Sequence, residues 1–151
     1  MEQEDIKELY IRLSKDFSVL SFDEVLAECL KIAKKFYACY PLLFELGTLL
    51  INHTSQASSP EQVEQIMEKA LEWFHRVRTE ADETNLQKES LLMEAFCLLQ
   101  LQRPSEVIDI LEPVNMQPGS PEPLLASAYR AIGNDQEAKK KILQVGYIRR
   151  L

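Results

Sequence analysis

Apolar residues recur every third or fourth position along most of the chain, the spacing of one face of an α-helix. From Asp5 to Ser14 the stripe is Ile6, Leu9, Tyr10 and Leu13, and Phe17 to Leu20 then breaks the polar pattern. Ser21-Phe22-Asp23-Glu24 reads as a capping box opening a second helix. Its core face of Val25, Leu26, Cys29, Ile32, Ala33 and Phe36 extends to about Ala38. Pro41 suits the first turn of a third helix, which is strongly apolar through Leu42, Leu43, Leu46, Leu49 and Leu50. Gly47 inside that helix costs about 1 kcal/mol against Ala, and close packing of a neighbouring helix is the expected compensation. Thr54 to Pro60 has loop chemistry, and Ser59-Pro60-Glu61 then caps a helix running to about Thr79. Val63, Ile66, Met67, Ala70, Leu71, Phe74 and Val77 mark its buried face. Trp73 lies beside that stripe, either as a boundary core residue, the preferred reading, or as a contact residue. Glu80 to Thr84 is a polar linker.

Two copies of one pattern follow. Leu91 to Leu101, the turn Gln102-Arg103-Pro104-Ser105-Glu106-Val107 and Ile108 to Leu111 match Glu122 to Ile132, the turn Gly133-Asn134-Asp135-Gln136-Glu137-Ala138 and Lys139 to Ile142. Ala95 aligns with Ala126, Leu98 with Tyr129, Leu101 with Ile132, Val107 with Ala138 and Leu111 with Ile142, all at an offset of 31 residues. Between the copies, three prolines and a glycine in 112–121 interrupt any helix. A repeat of this length built as helix, tight turn and helix predicts a helical solenoid. The pattern resembles the tetratricopeptide repeat, whose first helix has a small residue near its middle and whose turn has Gly before an acidic second helix ending in Ala. Gly133 to Ala138 matches that turn, and Gln102 to Val107 matches it with Gly replaced. Leu43-Phe44-Glu45-Leu46-Gly47 resembles the first half of the motif, and Phe22-Asp23-Glu24-Val25 the start of its second helix. The resemblance implies an all-α fold, antiparallel helical hairpins stacked as a right-handed solenoid of about eight helices. A single domain, 1–151, is expected, with its clearest repeats at 88–114 and 121–147.

Composition narrows the class. A hydrophobic content of 46% is ordinary for a globular protein. The chain has no run of eighteen apolar residues, so no membrane span is expected. The acidic start Met1-Glu2-Gln3-Glu4-Asp5 is unlike a secretory signal. A formal charge of −7 argues against direct nucleic-acid contact, which needs clustered Lys and Arg. Lys31, Lys34 and Lys35, and Lys139 to Lys141 with Arg149 and Arg150, lie toward helix C-termini, where they complement the helix dipole; a phosphate or lipid site is the competing reading. Cys29, Cys39 and Cys97 sit among apolar residues at no recognisable spacing and read as small hydrophobes rather than as disulfide or metal ligands. A reducing cytoplasm is the expected compartment.

Catalytic constellations do not stand out. Gly47, Gly119, Gly133 and Gly146 are scattered singly, with no phosphate-cradling loop. His53 and His75 form no metal-ligand spacing with a nearby Cys, Asp or Glu and read as satisfied edge histidines. No enzyme, metal or cofactor is expected, so function is expected to be a surface property. In the tetratricopeptide family the first helices of successive hairpins line a groove for a peptide or helix. The resemblance places Phe44, Thr48, Asn52, Met93, Phe96, Gln100, Ser127 and Arg130 toward such a groove. Phe44, Met93 and Phe96 could equally belong to the core. The Lys and Asn with which some family members clamp a terminal carboxylate are missing at these places. The last helix, about Asp135 to Ile148, carries Ile142, Val145 and Ile148 with no later segment to cover it, which suggests a partner surface, a homodimer interface.

Longer stretches carry a second resemblance. Leu9-Tyr10-Ile11-Arg12-Leu13-Ser14, Tyr40-Pro41-Leu42-Leu43-Phe44, Met93-Glu94-Ala95-Phe96-Cys97-Leu98-Leu99 and Pro123-Leu124-Leu125-Ala126-Ser127-Ala128-Tyr129 resemble the C-terminal regions of bacterial Cro/CI-type helix-turn-helix regulators. In those proteins a tetratricopeptide-like region follows the DNA-binding domain, dimerises and, in several groups, senses a peptide. The resemblance implies the dimerisation and ligand-sensing region of a transcriptional regulator, with the DNA-binding domain outside this chain. The alternative is a free-standing adaptor or secretion-type chaperone that binds a peptide in its concave groove.

Overall fold

The computed structural model describes residues 2–114 and 122–132. Among them are seven α-helices, α1 (Gln3–Val19), α2 (Phe22–Lys35), α3 (Tyr40–Asn52), α4 (Pro60–Glu80), α5 (Thr84–Gln100), α6 (Pro104–Leu111) and α7 (Glu122–Ala131), with short 3-10 turns at Thr54–Gln56 and Glu112–Val114. The described residues contain no strand. The expected eighth helix, with Ile142, Val145 and Ile148, lies outside the described residues, as does the turn at Gly133. The chain divides within α5 into two compact units, Met1–Ser90 and a second beginning at Leu91.

The first unit is organised around α3, which packs against α1, α2 and α4. With neighbours on several sides, α3 buries five leucines, Leu42, Leu43, Leu46, Leu49 and Leu50. Each such burial contributes about 2 kcal/mol. Gly47 is explained by α4: a Cβ there would stand 2.8 Å from Cζ of Phe74, a ring with no solvent exposure. The missing side chain is what lets the two helices close. At the other end of this antiparallel pair the Tyr40 hydroxyl donates to Glu80 at 3.1 Å, and Arg76 donates to the Tyr37 carbonyl.

Local chemistry sets most helix ends. The Ser21 hydroxyl accepts the Glu24 N–H at 3.2 Å and Ser59 accepts that of Gln62 at 3.1 Å, while Pro41 and Pro60 occupy the first turns of their helices. The first helix runs on through Phe17, which extends the Ile6, Leu13 stripe by one more turn and is buried, to Val19. Two boundaries differ from the sequence expectation. The second helix ends at Lys35 rather than near Ala38. The fifth starts at Thr84, where Leu86 packs onto the core of the first unit. In α4, Trp73 is a core residue at 4% exposure, and Leu71 is only half-buried.

In the second unit two aligned pairs share one environment: Ala95 and Ala126 are both buried, as are Leu98 and Tyr129. Leu101 is half-buried and Ile132 exposed. α6 and α7 pack together, and the Tyr129 hydroxyl donates to Glu112 at 3.1 Å. The α5–α6 turn is a Schellman motif: Gln102 N–H donates to the Leu99 carbonyl at 3.1 Å and Arg103 N–H to that of Leu98 at 2.9 Å. Gln102 has φ of 61°. The residue standing where the repeat turn normally has Gly is thus in the left-handed region that favours Gly. Arg103 then pairs with Glu106 and holds its carboxyl below the usual carboxylate range by hydrogen bonding.

Candidate functional site

A cleft of about 450 Å³ opens in the first unit, lined by α1, the N-terminal half of α3 and residues 83–89 around the start of α5. Its volume falls among ordinary ligand pockets, about 300–1,000 Å³. The apolar lining is Ile6, Tyr10 and Ile11 from α1, Pro41 and Phe44 from α3, and Leu86 from α5. Ile11 stands off the buried stripe of its helix and is 46% exposed. Phe44 is half-buried and meets Phe74 edge to face, ring centres 5.6 Å apart. Its two candidate roles therefore coincide: it seals the core against Phe74 and also lines the cleft.

The polar lining is Gln3, Lys7, Glu45, Glu83 and Glu89, three carboxylates against one ammonium. Glu45 is the single charged residue of α3. Burial raises its pKa above the usual carboxylate range, and the neighbouring charge of Glu89 raises it further. Both causes disfavour the anion, and the Glu89 charge is the part that a nearby cation would offset. Tyr10 and Phe44 place aromatic rings in the same lining, and aromatic rings attract cations.

Of the groove residues named from sequence, Phe44 lines this cleft. Thr48 is half-buried with its hydroxyl donating to the Phe44 carbonyl at 2.9 Å, and Asn52 is exposed at the end of α3. In the second unit Met93 and Phe96 are half-buried, and Gln100, Ser127 and Arg130 are exposed; the Ser127 hydroxyl donates to the Pro123 carbonyl at 2.9 Å. Sequence reasoning passed over Ile11, Glu45 and Glu89. The available signals were an apolar residue off its helix's stripe and a lone carboxylate in an otherwise uncharged helix.

The remaining candidates have structural roles. His53 stacks on Phe17 with ring centres 4.1 Å apart, and its Nδ1 lies 2.8 Å from the Leu49 carbonyl oxygen. Lys34 and Lys35 occupy the last turn of α2, and the Lys35 ammonium lies 5.3 Å from the centre of the Phe36 ring. All three cysteines are free thiols, Cys29 and Cys97 buried and Cys39 half-buried. Desolvation pushes the Cys29 and Cys97 thiols up to about 12. Among the described residues no group of His, Cys, Asp or Glu could hold a metal ion, and no helix is long and apolar enough to cross a membrane. A scan against protein-family models returns no match, and searches of curated proteins and of solved structures return none either. The described residues form an all-α fold with a cleft lined by three carboxylates together with Tyr10 and Phe44.

Proposed function

We propose that this chain is a non-enzymatic peptide-recognition module, the dimerisation and ligand-sensing region of a Cro/CI-type transcriptional regulator whose DNA-binding domain lies outside it. Its helical pairs stack as a tetratricopeptide-like right-handed solenoid, and it works in the cytoplasm as a homodimer. The observation that carries the reading is the cleft on α1, α3 and the start of α5, the leading helices of successive hairpins, with Tyr10 and Phe44 on its walls. Peptide occupancy shifts the arrangement of the helical pairs and, in the dimer, the spacing of the DNA-binding heads.

The test is selection of peptides from a displayed random library by the wild-type chain and by Ile11→Asp, which places a charge on the exposed wall of the cleft without touching the core. Peptides recovered by the wild type and lost by the variant support the groove; peptides that the variant retains put binding elsewhere. Light scattering on the wild type and on a triple Ile142→Asp, Val145→Asp, Ile148→Asp variant tests the dimer. A dimer converted to a folded monomer supports the regulator. A wild-type monomer favours the free-standing adaptor, which uses the same cleft.

A further inference from the structure

We propose that the cleft selects a peptide segment in which a Lys or Arg stands next to an apolar side chain. The inference rests on the peptide-binding reading and deepens it by naming what the peptide must carry. Its first support is charge complementarity. Glu45, Glu83 and Glu89 line one cavity, and among the described residues no ion pair engages any of the three. Three other carboxylates of the same unit do have cations: Arg12 pairs with Glu28 at 2.9 Å, Lys69 with Glu72 at 3.1 Å and Arg76 with Glu80 at 3.7 Å. What sets the cleft apart is that three carboxylates line one cavity, with Lys7 as the one ammonium in its lining and no ion pair from it to those three.

Like charges held around a partly desolvated carboxylate disfavour one another. A ligand ammonium or guanidinium removes that cost and gains hydrogen bonds from the same oxygens. Glu45 feels this most, being half-buried with burial and Glu89 both acting against its charge.

The second support is the apolar lining beside the acids. Tyr10, Phe44 and Leu86 are half-buried and Ile11 is exposed, so the same lining offers both carbon and carboxylates to a ligand. Lys and Arg present both surfaces, since their methylene stems lie along apolar or aromatic faces while the charged head stays near water and acid. An adjacent apolar residue of the peptide then covers Ile11. A small polyamine satisfies the carboxylates and leaves that apolar lining uncovered, so a peptide is the better occupant.

The test uses the full chain and fluorescence anisotropy with three labelled, end-blocked peptides that share a Leu-Phe-Leu core flanked by Lys, by Gln or by Glu. The Lys peptide is expected to bind best, roughly fivefold tighter than the Gln peptide for each carboxylate engaged, with the advantage shrinking in high salt. In Glu45→Gln/Glu89→Gln that preference disappears while the Gln peptide binds as before. Circular dichroism confirms that the variant is folded. Equal binding of the Lys and Gln peptides to the wild type overturns the cation preference and leaves the groove reading standing. Binding of none of the three overturns both. Displacement of the Lys peptide by spermidine at matched concentration, with no loss of peptide affinity in Ile11→Asp, overturns the peptide in favour of a small-polycation site.

Discussion

Replacing Gln102 by Gly should make this protein more stable, although it deletes a side chain and adds a flexible residue. Gln102 has φ of 61° between α5 and α6 and is exposed. A residue with a Cβ pays about 1–2 kcal/mol to enter the left-handed region. The backbone there is held by three hydrogen bonds, Leu101 N–H to Cys97, Gln102 N–H to Leu99 and Arg103 N–H to Leu98, with lengths of 2.9 to 3.1 Å. The chain therefore cannot relax out of that conformation without opening the end of α5. Gly removes the steric cost and returns about 0.4–1 kcal/mol to the more flexible unfolded chain. The net gain is about 1 kcal/mol, equivalent to a rise in melting temperature of roughly 2–4 °C for a chain of this size. Guanidinium unfolding followed by circular dichroism reads it as a higher midpoint at unchanged slope. Gln102→Val, β-branched and strongly disfavoured at positive φ, should shift the midpoint the other way. A Gly variant no more stable than wild type, or a Val variant equal to it, would refute the account of this turn.

Other consequences follow from the same packing. Gly47→Ala gains about 1 kcal/mol of helix propensity but forces a Cβ against the Phe74 ring; with overpacking at about 1–3 kcal/mol it should be net destabilising and, because Phe74 supports Phe44, should also weaken peptide binding. An unchanged unfolding midpoint and affinity would show that the ring yields freely. Under native alkylation at mildly alkaline pH, mass spectrometry should find Cys39 labelled first, with Cys29 and Cys97 protected by burial. The pKa of Glu45 is raised in the folded state. Its protonated form therefore favours folding below the unfolded-state pKa, and that contribution is lost as pH rises through the folded-state value. Glu45→Gln should then raise the melting temperature at neutral pH, with the advantage fading in acid; a benefit independent of pH would assign the gain to something other than the carboxylate.

The helices were legible because their causes are local. Apolar spacing, Ser21 and Ser59 as caps, and Pro41 and Pro60 in first turns act within one or two turns of chain, and each helix they announce is present. Of the aligned pairs of the sequence repeat, Ala95 with Ala126 and Leu98 with Tyr129 share burial, while half-buried Leu101 and exposed Ile132 do not. Gly47 told more than local structure: a helix-weakening residue in an apolar run predicted a close neighbour, and Phe74 is that neighbour. Periodicity could not say how many sides of a helix are covered. Phe17 looked like an interruption and proved to be one more turn of core, and Trp73 displaced Leu71 from the buried face of α4. The cleft was least legible, since its walls come from residues 3–11, 41–45 and 83–89, which only folding brings to one place. The sequence by itself determined the helices, their caps and the repeat, because those follow from interactions between near neighbours. The tertiary structure alone decided that Phe44 serves both core and cleft, and that Glu45 is partly buried near Glu89, because burial and electrostatics depend on which distant residues end up beside a group.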